Sequence, residues 1–160
     1  MNQEKYTLFK AVKVLFERLF SNHIHFSKKY VGRTLLMEDG KKFQVIRNLK
    51  VGQKQTDENS KAVFKVRFKF TNLPLAVNKR LSIIPALFLM AKPEFLQKIW
   101  SVTEDGYFQG LYQWTTKEFA ETYPNSFIFK LMTKRSAKGT LSYEVIPNTH
   151  LNVYVEKLLN

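Results

Sequence analysis

The chain has 160 residues, 44% of them apolar and including 14 Phe, 7 Tyr and 2 Trp, which suffices for one packed domain plus an extension and excludes global disorder. It contains no cysteine, which excludes a disulfide framework and any thiolate nucleophile or metal ligand and fits a reducing, cytoplasmic setting. The net charge of +13 is spread along the chain, twelve basic and six acidic residues up to position 60 and fourteen and seven after it, so no basic tail is set apart for an anionic partner.

Residues 4–21 have the spacing of an amphipathic helix. Leu8, Val12, Leu15, Phe16 and Leu19 share one face, and Lys10, Lys13, Glu17 and Arg18 lie largely opposite. Such a helix can lie on an anionic membrane surface or pack on the protein's own sheet. No stretch of about 20 apolar residues is present, so no spanning helix is expected. The opening Met1-Asn2-Gln3-Glu4-Lys5 does not read as a secretory signal. His23 and His25 would point the same way on a strand, a two-ligand pattern without an evident third, and no metal site is assigned to them. Two short strands follow, Val31 to Met37 and Phe43 to Leu49, with a turn at Glu38-Asp39-Gly40-Lys41. Gly52 to Ser60 is almost devoid of apolar residues and reads as a linker, so residues 1–60 form a helix-plus-hairpin extension and residues 61–160 a second unit.

Ala62 to Phe70 alternates strictly. Phe64, Val66, Phe68 and Phe70 face one way, Lys65, Arg67 and Lys69 the other, which predicts one buried aromatic face and one basic face. The basic face can anchor an acidic group, for which Arg67 is the candidate, or pair with Glu144 on another strand. Because rings and cations fall on opposite faces, the strand is not a nucleic-acid stacking platform and a nucleic-acid partner is not favoured, docking on membrane or nucleic acid through the basic N-terminal region being an alternative to ligand binding. Residues 74–91 read as helical with a break at Pro85. Lys98 to Thr103 and Tyr107 to Trp114 form a hairpin around Glu104-Asp105-Gly106. Thr115 caps the next helix with Glu118 as its capping-box partner, Pro124 interrupts, and a second piece runs from Asn125 to Lys134. Leu141 to Ile146 is the last strand, and Leu151 to Leu159 a short C-terminal helix.

From Val63 to Pro147 the order is strand, helix, strand, strand, helix, strand: an α+β, ferredoxin-like βαββαβ layout. The run Lys98-Ile-Trp-Ser-Val-Thr-Glu-Asp-Gly-Tyr-Phe-Gln-Gly-Leu-Tyr-Gln-Trp114, followed by a Thr-x-x-Glu-Phe-Ala helix start, resembles the YdhR-like monooxygenase branch of the dimeric α/β-barrel superfamily, which also holds the antibiotic-biosynthesis monooxygenases and haem-degrading oxygenases. The resemblance covers roughly the last 100 residues. It implies a homodimer in which two four-stranded sheets face each other across an apolar cavity that takes a small hydrophobic, aromatic ligand.

Enzymes of this kind include monooxygenases that need no metal or organic cofactor, because an electron-rich substrate reacts with oxygen directly. Other members bind or sense a ligand without turnover, so fold membership leaves activity open. By this resemblance Asn72 and Trp114 are the candidate catalytic pair, and Trp100 and Tyr112 line the cavity with Arg67. Haem-degrading relatives combine an Asn on the first strand, a Trp on the third and a His on a helix. Asn72 and Trp114 hold comparable places, but no His lies in the helix after Trp114, and the nearest, His150, follows the last strand. For Trp100 and Trp114 the alternative is plain packing in the core or at a dimer interface, and for Asn72 and Asn78 a role as turn residues after the strand.

Overall fold

A computed structural model describes residues 13, 24–52, 60–71 and 73–159. The expected helix over 4–21 (Lys13 apart), His23, most of the linker and Asn72 lie outside the described residues.

The strands are β1 (Ile24–Phe26), β2 (Thr34–Leu36), β3 (Lys42–Val51), β4 (Ala62–Lys69), β5 (Phe95–Val102), β6 (Tyr107–Trp114) and β7 (Ser142–Ile146). Helices α1 (Leu75–Leu81) and α2 (Ile83–Met90) follow β4. Helices α3 (Lys117–Thr122) and α4 (Phe127–Thr133) follow β6, and α5 (Leu151–Leu158) closes the chain. One sheet has the order β1-β3-β5-β6-β4-β7, with β2 also paired to β3, and every pairing is antiparallel. The run β5-β6-β4-β7 is the ferredoxin-like sheet expected from the element order. Strand β3 extends it, hydrogen-bonding to the edge of β5 from Gln44 opposite Val102 to Lys50 opposite Gln97.

The alternation in β4 sorts its residues as expected. Phe64, Val66 and Phe68 are buried on the helical side, whereas Lys65, Arg67 and Lys69 lie on the other face. There Lys65 pairs with Glu38 and Glu144, Arg67 with Asp39 at 2.7 Å, and Lys69 with Asp105 at 3.0 Å. The rings and the cations therefore lie on opposite faces of the sheet. The β5–β6 hairpin turns at Gly106, whose φ of +89° a side chain would strain. Thr103 steadies that turn, its hydroxyl oxygen accepting from the Tyr107 N–H at 2.9 Å.

Some boundaries differ from those the sequence suggests, for local reasons. The cap of α3 is Thr116, whose hydroxyl oxygen accepts from the Phe119 N–H, because Thr115 still belongs to the strand layer and donates its N–H to the Glu94 carbonyl. The break in residues 74–91 falls at Ser82 rather than Pro85. Pro85 sits in the first turn of α2, where its missing N–H costs no helical hydrogen bond. Strand β5 begins at Phe95, three residues before the expected start at Lys98. Pro124 lies in a 3-10 turn, Tyr123–Asn125, between α3 and α4.

Both faces of the sheet are covered. On one side α1 to α4 pack over Phe64, Val66, Trp100, Tyr112 and Trp114. On the other, β2 and α5 cover Val63, Ile99 and Leu111 with Leu35, Leu151, Val155 and Leu158. Strand β5 is therefore buried at all eight positions, on both faces alike. Two tyrosines tie the second layer together. Tyr154 donates to Glu38 Oε1 at 2.6 Å and Tyr30 to Glu156 Oε1 at 2.8 Å. Gln113 links α5 to the sheet, its Nε2 donating to the Ala62 and Thr149 carbonyls and its Oε1 accepting from the Leu151 N–H.

Candidate functional site

On the helical side of the sheet, a cavity of about 190 Å³ opens between the strands and the helices above them. Its floor is built from the inward positions of neighbouring strands. Lys98 stands opposite Tyr112 and Trp100 opposite Gly110, so period-2 alternation sets all four on one face. Phe68, Phe70 and Phe108 close one end, Ile84 and Pro85 come from α2, and Leu131 and Met132 come from α4. The wall is chiefly carbon, and the charged groups on it stand out.

Lys98 is the central one. It is 2% exposed, and its Nζ lies 4.4 Å from the Trp100 ring centre and 4.5 Å from that of Tyr112. Among the described residues its amine has neither an ion-pair partner nor a hydrogen-bond acceptor, so the two π faces hold it. Burial lowers its pKa well below the ordinary value of 10.5, and the nearby Arg47 lowers it further. The same burial makes the ammonium form of Lys98 costlier than it is in water. Arg47 also lies against Trp100, 5.5 Å from the ring centre, and donates to Ser82 Oγ at 3.2 Å. Burial lowers its pKa too. Arg135 stands at the wall over Phe70, 5.2 Å from the ring centre, and donates to Asn78 Oδ1 at 3.0 Å. Asn78, buried in α1, holds that oxygen in place by donating its Nδ2 to the Leu73 carbonyl.

Tyr112 forms the deep wall. Its hydroxyl donates toward Met132 Sδ at 3.6 Å, and burial raises its pKa above the ordinary tyrosine value, so it stays protonated. Gly110 makes room for its ring: a Cβ there would fall 2.5 Å from Tyr112 Cε2. Trp100 is anchored by its indole N–H, which donates to the Ser82 carbonyl at 3.3 Å.

No family model and no curated protein matches the chain. Solved structures do. An anthrone oxidase-like protein matches at 17% identity and a TM-score of 0.46 over 66% of this chain and 54% of its own length, so the chain spans about half of it. The haem-degrading enzyme of Listeria monocytogenes matches at 12% identity and a TM-score of 0.49 over 81% of this chain and 90% of that one. A monooxygenase-like protein of Listeria innocua matches at 11% identity and a TM-score of 0.48 over 81% and 84% of the two chains. None of these structures singles out the YdhR-like branch. The likeness concerns fold alone. The strand order itself gives the ferredoxin-like layout.

The sequence-predicted site residues are dispersed. Trp100 and Tyr112 line the cavity. Trp114 is on the same face but packs between Phe95 and Tyr123, at 5.8 and 5.2 Å between ring centres, away from the cavity wall. Its indole N–H has no partner among the described residues, nor has the Tyr123 hydroxyl. Arg67 lies on the opposite face, held by Gln109 and Asp39, both at 2.7 Å, because it is one residue out of phase with Val66 and Phe68. Asn72 lies outside the described residues.

The cavity itself lies between one sheet and its own helices. The face that a partner sheet would meet in the implied dimer carries β2 and α5. Lys98 and Arg47 were not singled out from the sequence. For Lys98 a signal was present, since it shares strand phase with Trp100 and Val102 and therefore points inward with them.

His25 is exposed on β1, and among the described residues, which do not include His23, no cluster of three or more metal-ligating side chains is present. Among the same residues no helix is long and apolar enough to cross a membrane.

Proposed function

We propose that the chain binds a small, flat, apolar molecule in the cavity under α1, α2 and α4. The observation that carries this reading is an apolar space of about 190 Å³ with one buried amine on its floor. An apolar cavity on the order of 150 Å³ holds benzene, so this one suits a substituted ring. Trp100 and Tyr112 supply flat faces for contact. The test is native mass spectrometry of protein purified from cells without denaturation. A co-purifying mass that is lost in Leu131→Trp, which narrows the cavity at α4, supports the reading. Its retention in that variant would move the ligand elsewhere.

A second reading adds turnover, and the inward titratable amine favours it over passive binding. A cofactor-independent oxygenation converts a methylene group and dioxygen into a carbonyl group and water. One oxygen atom enters the carbonyl and the other leaves as water, with all four electrons taken from the substrate. The reaction begins with loss of a proton from carbon. Lys98, buried on the cavity floor, is placed to accept that proton in its amine form. Oxygen uptake with the co-purified compound separates the readings: consumption that disappears in Lys98→Met is catalysis, and binding without consumption makes the chain a ligand-binding or sensing domain.

The homodimer is part of the same proposal. A partner sheet would have to meet this one around β2 and α5, and the mass measurement reads the oligomeric state directly.

A further inference from the structure

Among the described residues the cavity is lined by two basic side chains, Lys98 and Arg135, and by no carboxylate. Lys98 forms the floor, Arg47 shares its indole ring, and Arg135 stands at the wall. The described acids lie elsewhere. Glu38, Asp39 and Glu144 serve Lys65 and Arg67 on the opposite face. Asp105 pairs with Lys69, Glu121 with Lys117 and Glu156 with Lys29. Glu118 sits in the first turn of α3, and neither Glu94 nor Glu104 lines the cavity. Of the two arginines, Arg47 is engaged by Ser82 and Arg135 by Asn78. Lys98 has only ring faces around its amine among the described residues.

We propose that the cavity takes an apolar acid, an aryl or alkyl body carrying one carboxylate, with the carboxylate on Lys98 Nζ and the body against Phe68, Phe108 and Met132. This rests on the reading that the cavity binds a small apolar molecule, and it names the class of that molecule. A buried amine surrounded by rings is poorly solvated as a cation, and a carboxylate brought beside it supplies the missing counter-charge. In a low-dielectric space that attraction is strong, and the hydrogen bond is charge-assisted. The bound pair is an ammonium and a carboxylate, and whatever proton Lys98 lacks in the empty chain comes from solvent. One amine matches one carboxylate. A neutral ligand of the same shape fills the space and leaves Lys98 as it was.

The test is isothermal titration of the full chain with 4-ethylbenzoate and with 4-ethylbenzyl alcohol, in two buffers of different ionisation enthalpy. The acid is expected to bind about tenfold more tightly than the alcohol or better, as suits a desolvated charge pair, with proton uptake at pH values between the empty and the loaded pKa of Lys98. Lys98→Met is expected to abolish the preference for the acid and keep the alcohol. Lys98→Arg, which stays charged, is expected to restore the preference without proton uptake and covers a folding failure of the first variant. Equal affinity of the native chain for acid and alcohol, or a preference that survives Lys98→Met, overturns this proposal and leaves the cavity reading standing. Failure of both probes to bind overturns both.

Discussion

Lys98 places its Nζ 4.4 Å from the centre of the Trp100 ring, and that one contact organises the candidate site. The two residues are two apart on β5, so they project from the same face, and the indole in turn carries Arg47. A cation in such a place is costly unless it sheds its proton or finds an anion, and both outcomes are measurable.

Lys98→Met should stabilise the empty protein. It removes a buried amine with no hydrogen-bond acceptor among the described residues and keeps the volume, a gain of about 1–3 kcal/mol seen as a higher melting temperature near neutral pH. The pH dependence has a definite sign. The folded pKa lies below the unfolded value of 10.5, so the unfolded chain binds more protons between the two. The stability of the native chain should therefore rise toward that of the variant as pH increases through this window, and the gap should close above it. A gap independent of pH would show that Lys98 does not titrate with folding.

Gly110→Ala should damage both fold and cavity. The new Cβ meets the Tyr112 ring at 2.5 Å, and that ring is fixed by Phe64 and Tyr123, with ring centres at 5.8 and 5.4 Å. Overpacking of this kind costs about 1–3 kcal/mol, to be read from urea unfolding at unchanged m-value.

Tyr154→Phe tests the layer on the other face. The hydroxyl donates to Glu38 at 2.6 Å, and its loss should cost about 1 kcal/mol. Burial pushes the Glu38 carboxyl up, but the Tyr154 hydroxyl and Lys65 outweigh it and hold the pKa below the usual value. A lowered folded pKa contributes stability that is present above the unfolded value and is lost as pH falls through the folded one. Acid unfolding of Tyr154→Phe should accordingly depend less steeply on pH than that of the native chain. Equal slopes would remove Glu38 from the account.

Ending the chain at His150 should unfold it or drive it to associate. Leu151, Val155 and Leu158 are buried against Ile99, Leu111 and Val63. At about 1.5–3 kcal/mol for each side chain, their loss is comparable with the whole stability of a small domain. Dye binding to exposed apolar surface and size-exclusion chromatography would report it. A monomeric, dye-silent truncated chain would show that α5 is dispensable.

The sequence by itself determined the strand, helix, strand, strand, helix, strand order, because each signal is local. Phe64, Val66 and Phe68 alternate with cations, Glu104-Asp105-Gly106 makes a turn, and a threonine before Glu118 starts a helix. The same signals set which residues share a face, so that Lys98 points with Trp100 and Arg67 points away from both. Local rules could not decide what covers each face, since coverage comes from segments distant in sequence. The alternation of β4 is the same whether Arg67 meets solvent, a ligand or Asp39, and it took the packing of the Glu38-Asp39 turn to settle that. Strand β5 is buried throughout because α1 and α2 close one side and α5, more than 50 residues later, helps close the other. Only that double coverage turns Lys98 from a lysine on a strand into a buried amine facing a cavity.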